Sequence, residues 1–194
     1  IGGSPTPVDD PDLQKQLDDL IAEEEGTQSQ FGGLWGILIT LACVAMSLVH
    51  LYAAYDIVPT STLRPLHVSM VLALTFLIVP VSKRYVNRIM WWDVIAAALA
   101  IGVFFILLNG GEDFRERNTD PFTSDIAWGV ILIFLILEAL RRTNGWILLV
   151  ITGLFLGYAL FGNYLPEPWT HKGYDLGRLV GHMYMTLEGI YGSA

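Results

Sequence analysis

One cysteine, Cys43, stands in 194 residues, inside an apolar run. A single chain therefore builds neither a disulfide framework nor a thiolate metal site, and the redox compartment is left open. Charge is sparse too: Asp, Glu, Lys and Arg make 15% of the chain against 53% hydrophobic residues, where an ordinary soluble domain carries about 25% charged residues. No polar face accompanies the apolar segments, which excludes a soluble bundle of amphipathic helices. The formal net charge of −8 speaks against nucleic acid as a partner, because phosphate binding needs a clustered basic surface. What remains is a chain with mean hydropathy +0.50, whose apolar surface is too large to hide from water and whose bulk solvent is therefore lipid.

The acids are unevenly placed. Eight of the nineteen lie between Asp9 and Glu25, whereas Phe31 to Tyr55 carries none. Residues 1–30 divide into a start rich in Pro and Gly and a helical pattern, DLQKQLDDLIAEEEG. In that pattern Leu13, Leu17, Leu20 and Ile21 recur at helical spacing and Gly26 is a stop signal. This acidic arm reads either as a solvated element or as one that docks on a partner, and anionic lipid would repel it. No basic n-region precedes Gly33, so the first apolar segment reads as a span rather than a cleaved signal.

Five apolar segments follow, Gly33 to Tyr55, Leu66 to Val81, Val94 to Leu108, Ile126 to Leu140 and Trp146 to Phe161. A hydrocarbon core of about 30 Å takes about 20 helical residues, and shorter segments extend through polar ends or thin the bilayer. Lys83, Arg84 and Arg88 lie between the second and third segments, and Arg141 and Arg142 between the fourth and fifth. If all five cross, both basic joints share one face, which the retention of Lys and Arg inside makes cytoplasmic, with the N-terminus. Trp91, Trp92 and Trp146 stand just past these joints, at headgroup level, so together with the five cations they are the candidate membrane-interface or lipid-contact residues. Asp93 is placed to cap the third helix, and Thr123, Ser124 or Asp125 the fourth. In the last stretch Leu176, Leu179, Val180, Met183, Leu187 and Ile190 form one helical stripe with Arg178, His182 and Glu188 off it, the pattern of an amphipathic helix lying in the interface. The expected fold is an all-α integral membrane protein with about five transmembrane helices, an N-terminal acidic amphipathic helix and a C-terminal interfacial helix.

Polar groups within the apolar region carry whatever chemistry there is. Glu138 precedes Arg141 and Arg142 by three and four residues, the spacing of an intrahelical ion pair, and Asn144-Gly145 supplies the turn. The expected role is structural, although intramembrane charge always raises a functional question and guanidinium groups also suit lipid phosphate. His50 near the end of the first span and His67 near the start of the second are the one pair at similar depth, the geometry a haem held between helices would need. No close histidine spacing suits zinc, and no Ser-His-acid set can be assembled. Gly153 and Gly157 form a small-residue pair that permits close helix contact.

The string LEALRRTNGW, continued by YALFGNYLPEPWTHKGYDLGRLVGHMYMTLEGIYG, resembles the fused permeases of the tripartite ATP-independent periplasmic (TRAP) transporters, especially the TAXI branch. The similarity rests on Glu138, Ala139, Arg141, Arg142, Gly145, Trp146, Tyr158 to Gly162, Leu165, Pro166, His171, Gly173, His182, Tyr184, Thr186, Glu188, Gly189 and Ile190. Looser similarity reaches back through Trp92-Asp93, Pro80, His67 and His50-Leu51-Tyr52, and the acidic arm lies outside it. The resemblance implies the scaffold part of a sodium-coupled secondary transporter of the prokaryotic inner membrane. Such a transporter imports organic acids handed over by a periplasmic binding protein. It implies an acidic arm over 1–30, a four-helix Q-like scaffold over 31–141, and over 142–194 the fifth span and interfacial helix leading into an M-like transport domain not contained in this stretch. Substrate and sodium sites belong to that M-like partner, so no catalytic residue, cofactor or metal ligand is expected here. Gly153, Gly157, His182 and Glu188 are the candidate contacts with it. The rival expectation is a haem-binding electron-transfer subunit using His50 and His67.

Overall fold

The computed structural model describes residues 12–17, 29 and 31–192, and these contain helices and turns but no strand. Five long helices follow one another through short joints: α1 Gly33–Tyr55, α2 Thr60–Ile78, α3 Trp91–Glu116, α4 Thr123–Asn144 and α5 Trp146–Phe161. Each is long and apolar enough to cross a membrane, α3 and α5 being counted together with the short turns that follow them. The chain is thus an all-α, multi-pass membrane protein, as its composition requires.

Local chemistry sets the boundaries. α2 begins at Thr60, six residues before the expected start, because Thr60 to Arg64 join its first turns directly after Pro59. It ends at Ile78 because Pro80 holds the preceding Val79 extended, at φ −93° and ψ 112°. α3 continues past Leu108 to Glu116, with a kink at Gly111. Gly145 turns α4 into α5 at φ +76°, a conformation few side chains tolerate. The expected boundary between 141 and 142 therefore falls inside α4.

Three helices make the core. α2 turns Pro65, Ser69, Leu72 and Phe76 inward, α3 Ala97, Ala100, Val103 and Leu107, and α4 Gly129, Leu132, Leu135 and Ala139. These are single stripes at helical spacing, and small residues on α3 let the neighbouring backbones approach. α1 and α5 bury no residue at all. They flank the core and present Leu34, Ile37, Leu41, Leu154 and Phe155 outward, a surface that water would penalise and acyl chains or another helix would not.

The C-terminal stretch departs from expectation. In place of one interfacial helix there is a short α6, Leu176–Val180, then a π turn over Gly181–Met185 and a 3-10 turn over Ile190–Gly192. Val180, Tyr184, Met185 and Tyr191 are fully buried in the core. Gly129 makes this possible, since a Cβ there would run into Val180 and Tyr184. The Tyr184 hydroxyl donates to the Val103 carbonyl at 3.3 Å, and Arg64 donates to the carbonyls of Tyr191 and Gly192 at 3.2 and 3.3 Å. The apolar stripe counted along the sequence is used, but by a broken element wedged against α4, and Leu176 at its start stays exposed. At the other terminus residues 12–17 are helical with Leu13 and Leu17 exposed, while Leu20, Ile21 and Gly26 lie outside the described residues.

Candidate functional site

The most concentrated chemistry lies where α2 ends, α3 begins and α4 ends. Arg141 grips Glu138 in a two-pronged pair, Nε to Oε2 and Nη2 to Oε1 both at 2.7 Å, the planar fork that suits guanidinium and carboxylate. Arg142 donates from Nε to Glu138 at 2.9 Å. Its Nη1 reaches across to Asp93 on α3 at 2.7 Å and to the Val79 carbonyl at the end of α2 at 3.2 Å. The Arg142 and Asp93 side chains are only 4% and 5% exposed. Arg142 also lies over the Phe76 ring, 5.0 Å to its centre, and Arg141 lies 5.7 Å from the Trp146 ring centre.

Two acids and two arginines thus close a neutral network that binds α2, α3 and α4 at one end. Asp93 has two tasks: Oδ1 takes Arg142, and Oδ2 accepts the Met90 N–H at 3.1 Å. It sits at the third helical position and reaches back over the first turn, rather than standing at the cap. Every charged group in the network is paired with one of opposite sign. The network is a lock.

The intrahelical pair read from spacing is present, with Glu138 at its centre. Arg142 departs from the lipid-contact role expected of it: the Asp93 carboxylate draws it inward, and burial removes it from the bilayer surface. Arg84, Arg88, Trp91, Trp92 and Trp146 are exposed at the same end, and Lys83 opens a 3-10 turn, Lys83–Tyr85. Trp91 and Trp92 stack with ring centres 4.6 Å apart. Gly153 and Gly157 face open space, where an added Cβ would touch nothing, and His182 and Glu188 are exposed.

The opposite end is held by separate clasps. His67 Nδ1 lies 2.8 Å from His50 Nε2, and His50 Nδ1 lies 2.7 Å from the Met46 carbonyl. A carbonyl only accepts, so His50 donates through Nδ1 and takes the His67 N–H on Nε2. An iron shared by both rings would have to sit between nitrogens that here touch, so this arrangement does not fit a haem. Arg117 pairs with the buried Asp125 at 2.8 Å and lies over the Phe122 ring. Asp125 also accepts the Phe122 N–H. The Tyr52 hydroxyl and the Ile57 N–H hold the Asp56 carboxyl below the usual carboxylate range. Beyond α5, His171 Nδ1 accepts the Gly173 N–H and its Nε2 therefore donates to the Tyr158 carbonyl at 2.8 Å, closing the end of the helix.

Three partners escaped sequence reasoning: Asp93 for Arg142, Asp125 for Arg117, and the terminal carbonyls for Arg64. A signal existed for the first, since a lone acid and a lone arginine at span edges on one face are costly unless they meet. Among the described residues no group of three His, Cys, Asp or Glu side chains is placed to hold a metal ion. Comparison with protein-family models, with curated proteins and with solved structures found no match to this chain.

Proposed function

We propose that this chain is the membrane scaffold of a TRAP-type secondary transporter, working beside a large M-like subunit or domain that carries substrate and sodium and receives organic acids from a periplasmic binding protein. The observation that carries the reading is the motif string from Glu138 to Ile190, with its resemblance to that family. The roles its residues play here are those of a scaffold. Glu138, Arg141 and Arg142 lock three helices, Tyr158 and His171 close α5, and Tyr184 wedges the terminal segment into the core. Transport sites need polar groups and broken helices near the midplane, and in this chain the ion pairs lie at the helix ends.

A scaffold also needs faces to offer, and α1 and α5 leave theirs uncovered, including Gly153 and Gly157. The basic end, with Arg84 and Arg88, is assigned to the cytoplasm by the charge rule, and with it the N-terminus, on the inner side of a prokaryotic inner membrane. Reconstitution in liposomes under a sodium gradient tests the reading. The isolated chain is expected to move no organic acid, and sodium-driven uptake by it alone would contradict the scaffold role.

A further inference from the structure

At the basic end a groove of about 570 Å³ opens between Phe31 and Trp35 at the start of α1 and Asn87, Arg88, Met90 and Trp91 ahead of α3. Its two sides are tied together, since Ser29 donates its N–H to the Ile78 carbonyl at 2.9 Å and accepts the Asn87 N–H on its hydroxyl at 3.1 Å. The Arg88 N–H donates to the Tyr85 carbonyl at 3.2 Å, so Arg84 and Arg88 stand on one tight turn. Both are exposed, and neither pairs with a carboxylate among the described residues. No carboxylate lines the groove. Trp92 donates its indole N–H to the Met90 sulfur at 3.2 Å, whereas the indole N–H groups of Trp35 and Trp91 meet no acceptor among the described residues.

We propose that this groove binds the headgroup of an anionic phospholipid, its phosphate on Arg88, with Arg84 adding charge from the same turn and the rings of Trp35 and Trp91 flanking the ester region. Depth fits such an occupant: Val94, where the apolar run of α3 begins, also lines the groove, so it lies where headgroups give way to acyl chains, the level tryptophan prefers. Size fits as well, within the range of about 300–1,000 Å³ usual for small-molecule sites. Charge selects among lipids. A zwitterionic headgroup brings its own cation to a groove without a carboxylate, whereas an anionic one brings only the charge that basic pockets hold. Phe31 also borders a second trough of about 340 Å³ that runs along α1 past Gly36, Ile37 and Leu41. The Thr40 hydroxyl there turns back onto the Gly36 carbonyl at 2.8 Å, which leaves a greasy path for one acyl chain. Because α1 buries no residue of its own, a lipid seated here fastens it to the joint between α2 and α3. The proposal rests on this end meeting lipid and is independent of transport.

Native mass spectrometry of the full chain, taken from detergent holding equal amounts of phosphatidylglycerol and phosphatidylcholine, tests it. Phosphatidylglycerol should be retained over phosphatidylcholine. Arg88→Gln should lower that ratio about fivefold, the factor corresponding to about 1 kcal/mol per cation at an anionic surface, and Arg84→Gln with Arg88→Gln should bring it near parity. Arg178→Gln removes an exposed cation next to Gly177, which packs by Pro121 and Ile126 at the opposite end of α4, and should leave the ratio unchanged. Equal retention of the two lipids by the unaltered chain would overturn the proposal. So would a preference that survives the double substitution, or one that falls as far in Arg178→Gln, since net charge and not this groove would then govern retention.

Discussion

Arg142 shows how a residue's meaning depends on its partners. Beside Arg141 in a sequence it is half of a basic pair at a bend, yet in the fold it is a buried cation holding Asp93, Glu138 and the end of α2. Removing one member of a buried pair leaves the other unpaired, which costs about 3–5 kcal/mol. Arg142→Met is therefore expected to lower thermal stability in detergent sharply. Arg142→Met with Asp93→Asn should recover part of the loss, and a thermal-shift double-mutant cycle checks this. Arg141 is 21% exposed, so Arg141→Ala should cost less, on the order of 1 kcal/mol. A stability equal to that of Arg142→Met would show that the network is not centred on Arg142.

At the scale of elements, the spans were legible because lipid imposes a long apolar run on each, and no local signal competes with it. Their ends were less so: Thr60, Ser61, Thr62 and Arg64 are polar yet helical, and α3 runs beyond Leu108 through Asn109 and two glycines. Least legible was the terminal stretch, whose stripe has the period of a helix while its seat against α4 depends on what Gly129 allows to approach. Packing across elements decides that, and one segment does not contain it. Gly129→Leu should push the wedge off α4, costing about 1–3 kcal/mol as overpacking does, and faster proteolysis after residue 176 would register it. Unchanged proteolysis would mean that the wedge does not depend on this contact. The Glu138 pairing was readable from spacing within one helix, whereas Asp93 meets Arg142 from another helix, forty-nine residues away.

For the whole molecule, the arrangement is a three-helix core with two flanking helices, locked by one charged network at the basic end and by smaller clasps at the other. The His50–His67 contact ties α1 to α2 there. Replacing His67 with Phe should free α1 without adding or removing colour, because the two rings bond to one another; a haem absorption band in the purified protein would contradict that. Five helices crossing a bilayer in alternation would put both basic joints on one side and residue 167 on the other. The most direct test is cysteine accessibility in a Cys43→Ser background, with single cysteines at positions 84 and 167 in intact cells. An impermeant thiol reagent should reach position 167 from outside and position 84 only after the membrane is opened. Labelling of both from the same side would contradict the alternating arrangement.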